Sequence, residues 1–365
     1  MVEARDMVCV SVPFAAGVAA GLFLCLFLPP SFRSAAAGLL AASSGMFLIC
    51  LRRVRTLSPH LVFAGIFLLT GCFCAFNASM LGDAARWEGG GPTRAVESLR
   101  GIIDRIPYPS PTTAPLVKAL LTGDRSGLDP GTLEAFRRSG ASHLLALSGL
   151  HLGVIYGMLL QLTRPLGNSL RARAGKAALA VGASGFYAVM TGASPSIVRA
   201  FLFIALNETA KLLGRERELV RILLAALTLQ LALKPAVISS AGFQLSYLAM
   251  AGIFILYPSL ERWYPGSGSR SRDRLDPVRR IWQAAALSIS CQAFTAPVAW
   301  WHFHTFPRYF LLTNLIAMPL TSAIMILSVL TIALSALGVC PLWLAGLDDR
   351  AVGALVRSLG IISGM

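Results

Sequence analysis

Runs of about twenty mostly apolar residues recur along this 365-residue chain, and each is the length of helix that a bilayer's hydrocarbon layer demands. At membrane depth every backbone polar group must be paired inside the segment, so such runs fold as helices. They lie near Met7–Leu28, Ala35–Leu51, Leu61–Asn77, His143–Leu162, Ala174–Met190, Ser196–Leu213, Leu219–Leu233, Val237–Tyr257 and Ile281–Trp301. A last run, Tyr309–Leu337, is too long for one simple span and is expected to break at Met318-Pro319 into two. Charged residues make up 13% of the chain against about 25% in soluble domains, and mean hydropathy is +0.67, which excludes a soluble globular protein. The expected fold is all-α, a polytopic membrane bundle of about ten spanning helices with one amphipathic surface helix.

The net charge of +15 invites a nucleic-acid reading, but its distribution carries a simpler message. Arg52, Arg53 and Arg55; Arg164, Arg171, Arg173 and Lys176; Lys211, Arg215, Arg217 and Arg221; and Arg262 to Arg280 fall in alternate connections. The intervening short connections hold little beyond Arg33, Lys234 and Arg308. That asymmetry puts the basic side, and with it the N-terminus, in the cytoplasm. The first run has no clear basic flank, since Glu3, Arg5 and Asp6 precede it, and it reads as a retained span. The seven cysteines lie in or beside apolar runs without metal-site or disulfide-framework spacing, and read as small buried hydrophobes.

Four divisions follow along the chain: N-terminal transmembrane helices at 1–80, a short extracytoplasmic loop region at 81–113, the main membrane domain at 114–337, and a C-terminal tail at 338–365 that can be a truncation. Around Asp129 the signals of a helix start are strong. Asp129 is a good N-cap, Pro130 suits the first helical position, Leu133 and Phe136 share a face, and Gly140 can end the helix. This amphipathic helix is expected on the outer surface, just before the chain enters the membrane at His143.

Polar residues inside the runs are costly, and ionisable ones there are usually functional. On one helix Ser148 and His151 lie about 60° apart, with His143 and Gln161 near the same side, while Gly149, Gly153 and Gly157 form a stripe for close packing on the other. Ser240, Gln244 and Tyr247 repeat that division, as do Ser288, Gln292 and Thr295, while Asn314, Thr321 and Ser328 recur every seven residues. Arg199 lies just inside the span that opens with Ser194-Pro195-Ser196. Such stripes either glue helices together or converge on one water-filled path.

The string Leu121-Thr-Gly-Asp-Arg-Ser-Gly-Leu-Asp129 followed by Phe136-Arg-Arg-Ser-Gly-Ala-Ser-His-Leu-Leu-Ala-Leu-Ser-Gly-Leu-His151 resembles the signature of the competence protein ComEC family. Thr191–Ala200, Ala241–Ala249 and Phe306–Leu320 look like the family's further landmarks, in the same order, so the likeness covers about residues 115–337. The resemblance implies an inner-membrane channel that admits single-stranded DNA during natural transformation. Its motif positions here are His143, Ser148, His151, Arg199, Gln244 and Asn314. It also implies a cytoplasmic helicase-like ATPase as the energy source, an extracytoplasmic DNA-binding receptor, membrane lipid as the surroundings, and no cofactor. Larger members carry a soluble OB-like domain and a metallo-β-lactamase-like domain. Neither fits within this sequence, so any nuclease is expected to be a separate protein, and the chain itself is expected not to be an enzyme.

Two rival readings stand beside the channel. A small-solute permease would use the same polar faces, and would move a small solute in liposomes without any polymer present. An intramembrane serine protease would use Ser184, in Gly182-Ala-Ser-Gly185, with a histidine as base. His302-Phe-His304 lacks the acidic and histidine partners of a zinc motif. At the outer mouth of a channel, Arg199, Tyr247, Trp300, Trp301 and Arg308 are candidates for holding a strand, although Trp and Tyr also populate membrane interfaces.

Overall fold

The computed structural model describes residues 4–28, 37–40, 59–80, 94–215, 218–264, 276–304, 307–339 and 341–364, and every regular element among them is a helix. The chain divides into two compact units, Met1–Glu88 with Val198–Gln244, and Gly89–Ile197 with Leu245–Met365. Three helices are long and apolar enough to cross a membrane, at Met7–Phe27, Ala241–Arg262 and Phe310–Ala336, with four shorter apolar helices beside them.

In the first unit, α1 (Ala4–Phe27) crosses α2 (Pro59–Met80) closely because glycines meet at the contact. A Cβ at Gly17 would collide with the Leu68 carbonyl, and one at Gly71 with the Phe14 carbonyl. Small residues at a crossing let backbones approach where lipid offers no hydrophobic drive between helices. There Cys72 Sγ donates to the Gly17 carbonyl at 3.0 Å. Ser11 Oγ, in turn, donates to the Leu224 carbonyl at 3.1 Å and accepts from Thr228 Oγ1 at 2.9 Å, tying α1 to α10 (Leu219–Leu233).

The second unit is built on α14 (Phe310–Ala336), a single helix that passes through Pro319. The expected break there does not occur. Proline removes one intrahelical bond, and neighbouring helices in a bundle make that tolerable. Against α14 pack α15 (Leu342–Gly364), α4 (Thr113–Thr122), α3 (Arg94–Arg105) and α13 (Pro277–Phe303). Helix α15 falls in the stretch read from sequence as a tail. Asp348, Asp349, Arg350 and Arg357 interrupt its apolar pattern, yet Leu344, Val352, Leu355 and Leu359 form one buried stripe.

Two other expected spans are divided. The run from His143 becomes α6 (Ser142–Leu145) and α7 (Gly149–Leu162), separated by an extended step at Ala146–Ser148. The run from Val237 starts with a 3-10 turn at Pro235–Ser239, continues as α11 (Ala241–Ile255), and restarts at Pro258 as α12 (Tyr257–Arg262). Helix α8 (Leu170–Met190) follows α7, and α9 (Pro195–Leu212) precedes α10. The expected span Ala35–Leu51 lies outside the described residues apart from 37–40.

The amphipathic helix forms as its sequence predicts, as α5 (Pro130–Arg138). Asp129 caps it, accepting from the Thr132 amide at 2.7 Å and the Thr132 hydroxyl at 2.9 Å. Beyond the helix, Gly140 adopts a left-handed φ of 80° that lets the Ala141 amide reach the Phe136 carbonyl at 2.8 Å. Its apolar face is protein-bound: Phe136 is fully buried with Leu116, Leu144 and Leu355. Those donors to Asp129 hold its carboxyl below the usual carboxylate range, the Thr132 amide contributing most. A depressed native pKa means that stability is present at neutral pH and lost as pH falls through that value. Asp129→Ala is therefore expected to cost about 1 kcal/mol in chemical unfolding at pH 7, and to narrow the native protein's advantage below about pH 4. An unchanged gap at acid pH would overturn the capping role.

Candidate functional site

The break between α6 and α7 gives the Ser148–His151 pair its geometry. Ser148 is extended, with φ −129° and ψ 171°, and caps α7 by accepting from the Leu150 amide at 3.3 Å. In return the Ser148 amide donates to His151 Nδ1 at 3.2 Å, and the Ser148 hydroxyl faces the same nitrogen at 2.9 Å. This is a capping box with histidine where glutamate or glutamine usually stands. Because two donors point at Nδ1, that nitrogen accepts, and the neutral ring keeps its proton on Nε2. His151 is fully buried, yet Nε2 makes no hydrogen bond among the described residues. A buried donor without an acceptor is an exception that asks for an occupant or a function.

Helix α14 brings acceptors into the same unit. The predicted stripe of Asn314, Thr321 and Ser328 does face inward: Thr321 and Ser328 are buried, and Asn314 is half-buried. Asn314 Oδ1 and Thr321 Oγ1 are buried without partners. Helix α7 packs on α14, Leu150 joining the cluster of Ala317 and Ile324, and Val154 that of Met325 and Ile332. The capped start of α7 thus lies toward the Asn314 end of α14. Three unsatisfied polar atoms therefore sit on two adjoining helices.

The remaining predicted residues are placed differently. His143 is exposed on α6, its Nδ1 3.1 Å from the Gly140 carbonyl, where it braces the turn that ends α5. Gln244 belongs to the first unit, and its Nε2 donates to the Ile238 carbonyl at 2.9 Å, closing the turn into α11. Ser240 serves that turn too, donating to the Val237 carbonyl at 2.8 Å. Arg199, also in the first unit, is only 9% exposed on α9. The glycine stripe of α7 lines no close helix contact, since a Cβ at Gly153 or Gly157 would meet nothing within 4 Å. Ser184 Oγ is buried and makes no hydrogen bond to a histidine among the described residues.

Sequence reading missed Asp348 and Asp349. Asp348 is fully buried, and one of its oxygens, Oδ2, accepts from Ser328 at 2.8 Å and from Tyr108 at 3.3 Å. Its neighbour Asp349 accepts from the Ser110 amide at 3.0 Å and from the Thr113 hydroxyl, capping from another helix the start of α4. Helix α4 lacks a side-chain cap of its own, and an acid near a helix start also suits the dipole. An adjacent acidic pair inside an otherwise apolar stretch was the available signal. Asp348→Ala removes the acceptor of the buried Ser328 hydroxyl and is expected to cost about 1–3 kcal/mol, read by thermal unfolding in detergent. Asp348→Asn keeps an acceptor and should lose far less. Equal losses for the two variants would show that volume, not hydrogen bonding, matters here.

Compared with known proteins, residues 120–365 match the family model described as "Competence protein". "ComE operon protein 3" of Bacillus subtilis (strain 168) is 30% identical over 210 residues, 57% of this chain and 25% of that protein. "Competence protein ComA" of Neisseria gonorrhoeae is 31% identical over 179 residues, 48% of this chain and 25% of that protein. The chain thus matches about a quarter of the length of these curated relatives. No solved structure matches.

Proposed function

Because the chain belongs to the competence protein family, we propose that it forms an inner-membrane channel through which single-stranded DNA reaches the cytoplasm during natural transformation. The observation that carries this reading is the set of buried, unpartnered polar atoms on α7 and α14: His151 Nε2, Asn314 Oδ1 and Thr321 Oγ1. A route for a hydrated polymer needs donors and acceptors that are not consumed by the fold, yet too few to trap the strand. His151 Nε2–H would donate to phosphate or base oxygens, and Asn314 and Thr321 would accept from base amino groups or water.

About ten spans with a cytoplasmic N-terminus complete the proposal, the short helices such as α7 and α10 counting as spans within the bundle. With no phosphate-binding loop in the sequence, a cytoplasmic helicase-like ATPase would supply energy, and an extracytoplasmic receptor would deliver the DNA. The permease reading uses the same orphan atoms, and is distinguished by transport of a small solute in liposomes without polymer.

The reading is tested by following fluorescently labelled DNA in cells that carry Asn314→Ala or Arg199→Ala. Each variant should remain in the membrane and keep surface capture. Cytoplasmic arrival should fall about tenfold, which corresponds to about 1.4 kcal/mol, the order of one lost hydrogen bond. Normal arrival in both would rule out an internal polar route through these positions.

A further inference from the structure

An apolar groove of about 480 Å³ runs between α3 and the pair α7 and α8, lined by Leu99 and Ile102 of α3, Ile155 of α7, and Ala183, Phe186 and Met190 of α8. It is open on one side, and Phe186 remains 63% exposed along it. An uncovered apolar trough in a membrane protein suits a hydrocarbon chain. The rim of this trough says which lipid.

Helix α3 is strongly amphipathic, with Val96 and Ile103 buried on one side. At 100° per residue, Ala95, Ser98, Leu99 and Ile102 form the stripe facing the groove, and Arg94 and Arg105 fall together at its edge. They stand about 16 Å apart along the axis, one toward each end of the groove. Both are exposed, and neither makes an ion pair among the described residues. Of the other charges of α3, Arg100 pairs with Asp124 at 3.3 Å and Asp104 with Lys118 at 2.5 Å, while Glu97 is exposed on the side of the helix away from the groove stripe. Depth agrees as well. Helix α8 starts at a basic turn with Arg171, Arg173 and Lys176, and the groove residues occupy its opposite end, where an interfacial helix and a span can share a headgroup.

We propose that this groove binds an anionic phospholipid, its acyl chain against Ile102, Ile155 and Phe186 and its phosphate held by Arg94 or Arg105. The site is separate from the orphan atoms of α7 and α14, and does not depend on the channel reading.

The test uses the full chain purified in detergent with equimolar dioleoyl-phosphatidylglycerol and dioleoyl-phosphatidylcholine, the last lipid surviving delipidation being identified by native mass spectrometry. The native protein should retain phosphatidylglycerol about tenfold over phosphatidylcholine, the order of preference that cations beside an anionic headgroup supply. The double change Arg94→Gln with Arg105→Gln should bring the ratio near parity, with circular dichroism confirming the fold. Ala183→Trp, which fills the groove but leaves both arginines, should abolish the retained lipid. Equal retention of both lipids by the native protein, no retained lipid at all, or an undiminished preference in the double variant would each overturn the proposal.

Discussion

A polar group carried into a bilayer must find its partner within the protein, and this one requirement organises the second unit. Its short helices leave backbone groups unpaired at their ends, and long helices supply the missing partners. Asp349 of α15 receives the Ser110 amide and Thr113 hydroxyl at the start of α4, and Tyr187 of α8 donates to the Leu121 carbonyl at the other end, 3.0 Å away. The Thr313 hydroxyl of α14 donates to the Ser139 carbonyl where α5 stops, at 2.7 Å. Trp282 of α13 does the same for Leu260 in α12, at 3.0 Å. Each bond joins segments distant in sequence, so local helix ends become tertiary anchors.

Against so thorough a settlement, the atoms left over gain meaning. His151 spends Nδ1 on capping its own helix and keeps Nε2 unspent, while Asn314 and Thr321 keep acceptors on the neighbouring helix. Helix glue would have consumed them, as it consumed Gln244 and Ser240 in a turn. The difference between the two groups is a matter of geometry rather than residue type, and only folded coordinates reveal it.

Much of the fold was legible because hydrophobic runs and helix caps are local signals. The start at Asp129-Pro130 and the stop at Gly140 are written within a dozen residues, and they form as read. The inward face of Asn314, Thr321 and Ser328 follows from a seven-residue period on one straight helix. Other features escaped for physical reasons. A run of apolar residues cannot show that Ser148 will adopt an extended backbone and divide it, because the capping bond to His151 offers an alternative to continuous helix. Proline at 319 suggested a break, but surrounding helices decide whether the lost bond matters. Asp348 and Asp349 fell in the stretch read as a C-terminal tail and went unremarked, since their partners at Tyr108 and Ser110 are far away in sequence. His143 shared a face with His151 only on a helix that does not exist.

The anchoring of Tyr108 by Asp348 spans 240 residues. During synthesis the α4 segment leaves the ribosome long before its acidic clamp has been translated. Until α15 arrives, the start of α4 lacks its Asp349 cap and Tyr108 its bond to Asp348. Assembly of this unit is thus a zip fastened from its far end: α4 stays unclamped until a helix more than two hundred residues downstream has been made.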